Sequence, residues 1–331
     1  MTAVLEPPIA DIQHIPHVIE LEITGKCQLE CTHCFADSGP TGTHGVMTQV
    51  DWCGLIDQAA ELGITTVQLI GGEPTAYPGW STLVDHALNA GRKVEVFSNL
   101  YHVSAKGWAI FERPGVSLAT SYYSPNPGEH DRVTKVAGSH ERTRANIREA
   151  VRRDIPIRAG VVGINDGQLE RLAVAELREL GVQRITLDYQ RGVGRAAKVA
   201  PDVSVLCGNC GRGRLAIMPD GAVSPCVLGR FMRPFNIRQT TLREVLCSPE
   251  WAKVIATIPP RRGTGLDGAR AACPPDDSND CSPASTEACD PAYFVPGEGA
   301  PLAVSARTYA CPPDDSNDCS PASTEACDPA Y

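Results

Sequence analysis

The most constraining feature of this chain is the octet Cys27-Gln-Leu-Glu-Cys31-Thr-His-Cys34. Three thiolates in a C-x3-C-x2-C spacing can hold three irons of one cubane cluster, and a cubane has four. The remaining iron is open to a ligand from solution, so such a cluster can act on a small molecule as well as carry electrons. Thiolates in comparable spacings also bind zinc, which takes a fourth protein ligand. His33 is the local candidate, but it lies between two cysteines with no room to fold back.

Composition narrows the setting. The chain has 331 residues, enough for a sizeable core, and no transmembrane run. Its start, Met1-Thr-Ala-Val-Leu-Glu-Pro-Pro8, lacks a basic leader and a long apolar stretch, so export is not expected and a cytoplasmic location is. In that reducing compartment fourteen cysteines point to metal rather than disulfides. The formal charge is −9, but twelve acids face only four arginines from Pro259 onward, leaving the body near neutral. A nucleic-acid enzyme held by a broad basic face is therefore not expected. The run Arg142 to Arg153 reads as the solvated side of a helix.

Apolar strands alternate with helical patterns along the body. Strands are expected at His17–Thr24, Thr65–Ile70, Lys93–Phe97, Val116–Ser121, Pro156–Gly163 and Val182–Tyr189, with helices at Thr48–Leu62, Trp80–Leu88, Ala105–Glu112, Ser139–Arg153 and Gln168–Leu180. Gly63 stops the first helix, and Ser139 is expected to cap the fourth. Cys53 reads as a small core residue of the first helix. About six βα units result, and reactive groups of such units gather at the strand C-terminal ends. The cysteine loop, Gly71 to Thr75, Ser98-Asn99, Ser121 to Tyr123 and Tyr189 to Gly194 all follow strands and should share one mouth. At Gly71-Gly72-Glu73-Pro74 two glycines let backbone approach a ligand closely, and Glu73 brings a carboxylate beside it.

A second cysteine region follows. Cys207-Gly-Asn-Cys210 precedes a hairpin pattern over Leu215 to Cys226 with Pro219-Asp-Gly221 at its turn, which would bring Cys207, Cys210 and Cys226 together. A structural zinc ribbon is the plain alternative. Beyond it, Ala272–Tyr293 and Ala310–Tyr331 are identical over 22 residues at an offset of 38. Rich in Pro, Asp and Ser, this tail can bury little and is expected to be irregular without metal.

The cysteine octet after a strand, with Gly71-Gly-Glu-Pro74 about forty residues on, resembles the radical S-adenosylmethionine enzymes. His33 departs from the aromatic residue usual before the third cysteine. The spacing Cys210-x10-Gly221-x4-Cys226 resembles the opening half of the SPASM extension, whose usual second half is replaced by Cys273, Cys281 and Cys289 at seven-residue separations. Cys207, Cys210 and Cys226 also suit a shorter twitch extension.

The resemblance implies an α/β fold, a partial (β/α)6 barrel, divided as an N-terminal extension (1–16), core (17–200), auxiliary-cluster domain (201–258) and tail (259–331). It implies a [4Fe-4S] cluster on Cys27, Cys31 and Cys34, with S-adenosyl-L-methionine near Gly71, Gly72, Glu73, Pro74, Ser98, Asn99 and Ser121. At least one auxiliary iron–sulfur cluster falls on Cys207, Cys210 and Cys226, with Cys247 a weaker addition. Ser121 to Arg132 resembles a segment common among peptide-modifying members, and Arg191 to Arg195 their glycine-bearing turn after the sixth strand, close to the cofactor ribose or carboxylate. Within Ser121 to Arg132, Glu129, His130 and Asp131 read as a polar loop capping a helix, or as proton carriers near a substrate. The activity implied is maturation of a ribosomal peptide by hydrogen abstraction, with a flavodoxin or ferredoxin as electron donor. Small-molecule chemistry within the family, and a non-enzymatic iron–sulfur or zinc protein outside it, are the competing readings.

Overall fold

Strands that alternate with helices in the chain lie side by side in the sheet. The computed structural model describes residues 12, 14–164 and 168–260; the duplicated tail with Cys273, Cys281 and Cys289 lies outside the described residues. Strands β1 (Val18–Glu22), β2 (Thr66–Ile70), β3 (Lys93–Phe97), β4 (Val116–Tyr122), β5 (Ile157–Gly163) and β6 (Arg184–Tyr189) pair in chain order, all parallel. On the other side of β1 lies β7 (Arg214–Ile217), also parallel, followed by antiparallel β8 (Ala222–Ser224) and β9 (Phe235–Asn236). The sheet is open, in the order β6-β5-β4-β3-β2-β1-β7-β8-β9. Its first six strands make the expected α/β parallel array. The second cysteine region extends the same sheet.

The helices follow the apolar periodicity. They are α1 (Gln49–Glu61), α2 (Trp80–Asn89), α3 (Ala105–Phe111), α4 (Pro127–Thr134), α5 (Ser139–Arg152), α6 (Glu170–Glu179), α7 (Leu242–Cys247) and α8 (Pro249–Thr257). Thr48 and Asp51 close a capping box on α1, satisfying two otherwise orphaned backbone donors. Trp52, Leu55, Ile56 and Ala59 are the face it buries. On α5 the cations Arg142, Arg148 and Arg152 are exposed, as a solvated face requires. No helix among the described residues is long and apolar enough to cross a membrane.

Three local expectations are corrected. The residue before α5 is Gly138 in the left-handed region, which has no side chain to cap the helix itself. Ser139 instead donates its hydroxyl to Asp131, whose carboxylate also accepts from the Gly138 and His140 amides. Helix α6 begins at Glu170 because Gln168 holds the preceding turn, donating to the Tyr123 and Val162 carbonyls. Glu129, His130 and Asp131 lie in helix α4, not in a loop, with Asn126 as its cap.

Strand β1, between β2 and β7, is buried at every position although two of its five residues are acids. Glu20 and Glu22, 2% and 1% exposed, alternate with Ile19 and Leu21 and so share one face. The register aligns Glu20 with Gln68 and Gln68 with Glu95, and Arg158 forks onto both oxygens of Glu95 at 2.7 Å. A row of satisfied polar groups thus crosses the sheet, as burial of charge demands.

Candidate functional site

The loop after β1 carries the first cysteine set, and the exit of β2 packs directly against it. The Gly72 amide donates to the Thr24 carbonyl at 2.7 Å and the Glu73 amide to the Lys26 carbonyl at 2.9 Å. A Cβ on Gly72 would collide with the Lys26 carbonyl and stand 3.1 Å from the Cys27 Cβ. Gly71, at φ +144, would likewise strike the Thr24 carbonyl. The close approach these glycines permit is therefore to the cysteine loop itself. Pro74 is buried at the start of a short 3-10 turn, Pro74–Ala76.

Glu73 is 2% exposed, and its carboxylate is engaged by the protein. It accepts from the Asn99 amide at 2.9 Å and from the Thr75 hydroxyl and amide at 2.7 and 3.1 Å. Burial pushes its pKa up, with those bonds and one from Ser98 acting the other way. Asn99, at the exit of β3, carries the connection onward. Its side-chain amide donates to the Cys27 sulfur at 3.5 Å, and its side-chain oxygen accepts from Gln28 at 3.0 Å. Ser98 is fully buried and accepts from the Leu100 amide. Ser121 lies inside β4, one residue further into the strand than expected, and hydrogen-bonds Tyr123.

The cysteine sulfurs are desolvated and accept backbone donors. Leu29 donates to the Cys27 sulfur at 3.4 Å and Ser38 to the Cys34 sulfur at 3.3 Å. Burial pushes the Cys27 and Cys31 thiols up to about 12, and for each a neighbouring cysteine of the triplet adds to the rise. Two buried thiols that resist deprotonation, in a loop whose backbone N–H groups point at the Cys27 and Cys34 sulfurs, are short of positive charge. A cationic iron cluster supplies that charge, so the donor set fits one. Among the described residues no three His, Cys, Asp or Glu side chains gather as a single-ion site; a cluster instead puts each thiolate on its own iron.

From the far side the turn after β6 closes on this loop. A Cβ on Gly194, at φ +60, would meet the Cys34 and Phe35 carbonyls. Next to it, Arg195 donates to the Cys31 and Ser38 carbonyls at 2.6 and 2.8 Å and to Asp37 at 3.0 Å, and its amide to the Cys34 carbonyl at 2.9 Å. This clamp was not foreseen. Its only trace in the sequence is an arginine at the end of a glycine-bearing turn.

The second set assembles as the hairpin pattern implies. The Cys210 and Cys226 sulfurs are 2.8 Å apart, and Cys207 hydrogen-bonds Cys210. Charge pairs tie the set to β1: Glu20 accepts from Arg214 at 2.8 Å and from the Val227 amide at 3.0 Å, and Glu22 accepts from Arg230 at 2.9 Å. The Arg230 guanidinium also lies 6.0 Å from the Phe35 ring, beside Cys34. These ties were missed too, although two acids alternating in a strand this central are their signal. Cys53 and Cys247 are half-buried and outside both sets.

Among Glu129, His130 and Asp131, Asp131 braces α5 and Glu129 accepts from the Ser124 hydroxyl at 2.6 Å. His130 is buried among Tyr122, Tyr123 and His140, its Nδ1 without a partner among the described residues.

The Radical SAM superfamily matches residues 21–177, and the iron–sulfur cluster-binding SPASM domain matches residues 207–275. The AdoMet-dependent heme synthase of Methanosarcina barkeri is 29% identical over 142 residues, 43% of this chain and 41% of that protein. The PqqA peptide cyclase of Ruegeria pomeroyi is 28% identical over 176 residues, 51% of this chain and 46% of that protein. The chain thus matches less than half the length of either relative. Streptococcus suis SuiB, solved with its precursor peptide SuiA, has the same fold at a TM-score of 0.63, with 16% identity over 74% of this chain and 68% of that one.

Proposed function

Because this chain is a radical SAM enzyme bearing a SPASM-type iron–sulfur domain, we propose that it matures a ribosomally made peptide by hydrogen abstraction followed by oxidation or cross-linking. The observation that carries this reading is the pairing of two three-cysteine sets on one sheet, the first after β1 and the second across β7 and β8. Cys27, Cys31 and Cys34 would hold a [4Fe-4S] cluster with one open iron, which would supply the electron for reductive cleavage of S-adenosyl-L-methionine and so the means to break an unactivated C–H bond.

The chain's own residues hold and orient that chemistry. Leu29 and Asn99 steady the Cys27 sulfur through N–H donors, and Ser38 does so for Cys34. Gly71, Gly72 and Pro74 set the exit of β2 against the cysteine loop, leaving the backbone there for the methionine end of the cosubstrate. Glu73 works from beneath, fixing Thr75 and Asn99. Ser98 and Ser121 sit at neighbouring strand exits and complete the mouth. Arg195 keeps the Cys31 and Ser38 carbonyls in place from the opposite side. Cys207, Cys210 and Cys226 would hold an auxiliary cluster, which would offer a place for the electron left over when the product forms. A flavodoxin- or ferredoxin-type protein supplies the first electron.

A peptide substrate is favoured by the likeness to a PqqA peptide cyclase. The likeness to a heme synthase favours a second reading, in which the same site oxidises a small molecule. The test is anaerobic reconstitution with iron, sulfide and a strong reductant, followed by assay of 5'-deoxyadenosine. Release of 5'-deoxyadenosine is expected, and its absence from fully iron-loaded protein would sink both readings. Short peptides encoded beside this gene and a porphyrin precursor, each offered as substrate, separate the two by which one changes mass.

A further inference from the structure

The turn Arg191-Gly-Val-Gly-Arg195 touches both cysteine sets within five residues. At its end, Gly194 and Arg195 grip the backbone of Cys31, Cys34 and Ser38. At its start, Arg191 donates at 2.8 Å to the carbonyl of Val205, two residues before Cys207. It also forks onto the two oxygens of Asp188, at 2.9 and 3.0 Å. Four peptide steps separate the two arginines, so their Cα atoms lie no more than about 14 Å apart even in a fully extended chain. One short stretch of the core therefore sets a guanidinium beside each cysteine set.

The two guanidiniums do different things. Arg195 satisfies carbonyls, whereas Arg191 is 16% exposed and keeps its Nε buried without a hydrogen-bond partner among the described residues. Its donor on the Val205 carbonyl, two residues before Cys207, sets that charge beside the second cysteine set. A guanidinium keeps its proton throughout the accessible pH range, so this is a standing bias. Because the group is largely buried, salt screens it little. A fixed cation stabilises whichever state of its neighbour is more negative. For a cluster that is the reduced state, and local charge is one of the levers that set cluster potentials.

We infer that Arg191 is a positioning residue of the auxiliary site: anchored on the core, it holds the Cys207 loop through Val205 and raises the reduction potential of a cluster on Cys207, Cys210 and Cys226. The inference rests on the reading of those three cysteines as cluster ligands. It makes the auxiliary centre a stronger electron acceptor than its cysteines alone would. The main alternative is a purely mechanical strut between Asp188 and Val205, in which the charge is incidental.

The test uses the full chain carrying C27A, C31A and C34A, reconstituted anaerobically and titrated with potentiometric monitoring by electron paramagnetic resonance. Replacing Arg191→Gln keeps hydrogen-bonding capacity and removes the charge. At the midpoint of the parent protein, the ratio of reduced to oxidised auxiliary cluster should fall about tenfold, which for one electron is 59 mV. Arg191→Lys should recover most of that shift, and Asp188→Asn, which removes the opposing charge, should move the potential the other way. A parent-like titration of R191Q at full iron and sulfide loading overturns the inference, as does an R191K shift equal to that of R191Q. Should R191Q fail to load, the D188N and R191K titrations decide the matter by their signs. If the parent protein itself loads no cluster, or loses none on C210A, the ligand assignment has failed, and that outcome is visible in iron content before any potential is read.

Discussion

The two cysteine sets occupy the same sheet but are held by opposite means. Around Cys27, Cys31 and Cys34 the grip falls on the loop's backbone: Gly71, Gly72 and Gly194 lie where a Cβ would collide with its carbonyls, and Arg195 donates to the Cys31 and Ser38 carbonyls. Around Cys207, Cys210 and Cys226 the grip is charge: Arg214 on Glu20 and Arg230 on Glu22, both acids buried in β1. The first arrangement fixes shape and fails by collision. The second tolerates changes of shape and fails when a buried charge loses its partner. A site that must present one open face to a cosubstrate needs the former; the electron-accepting role proposed for the second set can rely on the latter.

The largest expected effects separate the sets by function. Cys31→Ala should lose the first cluster and drop 5'-deoxyadenosine formation at least about 1,000-fold, roughly 4 kcal/mol of barrier. Cys226→Ala should instead keep that cleavage within about tenfold while abolishing the modified product, read by mass spectrometry with iron content measured on both. Equal loss of cleavage in the two variants would erase the proposed division of labour.

Next comes the charge grip. Arg230→Met leaves Glu22 buried without its cation and should destabilise by about 3–5 kcal/mol, whereas Glu22→Leu with Arg230→Met should recover most of it. Denaturant midpoints of the single and double variants check this. The steric grip should yield less: Gly72→Ala forces the Lys26 carbonyl aside and should cost about 1–3 kcal/mol, with loss of iron from the first set. Gly192→Ala is the control, since nothing lies within 4 Å of its added carbon, and its midpoint should stay within about 0.5 kcal/mol of the parent. A midpoint unmoved by G72A would mean the loop yields, and the contrast between the grips would go with it.

Much of this architecture was legible along the chain because it rests on local signals. The run Thr66–Ile70 into Gly71-Gly72 announces a strand and a tight exit, and Pro219-Asp220-Gly221 announces the hairpin that the structure contains. What stayed hidden is long-range. Nothing near Glu20 indicates that Arg214, 194 residues away, will face it, and nothing near Arg195 shows that Cys31 is its target. The added pairing of β7 on β1 is of the same kind: a parallel partner found across almost the whole core has no local signature. The misplaced cap at Ser139 was a local signal that lost to a tertiary one, since Asp131 on the preceding helix claims that hydroxyl.

That same aspartate offers the smallest and most selective test. Asp131 accepts from the Gly138 and His140 amides at 2.6 and 2.9 Å and so caps α5 from outside. Helix α5 in turn holds the exit of β3, since Thr143 and Asn146 donate to the carbonyls of Asn99 and Leu100. Asp131→Ala should therefore cost about 1–2 kcal/mol, the range for a lost cap. It should weaken iron retention by the first set and spare the second. Partial burial raises the carboxyl's pKa, but the bonds from His140, Gly138 and Ser139 outweigh it and hold the value below the ordinary 3.8. A carboxylate whose folded pKa is depressed stabilises the fold above its unfolded pKa and loses that contribution as pH falls through the folded one. The gap between wild type and D131A in denaturant midpoint should therefore be full at pH 7 and close steadily below about pH 4. A gap that persists unchanged into acid would assign the loss to packing around α4 and not to the charged cap, and the first cysteine set would then owe nothing to Asp131 as an ion.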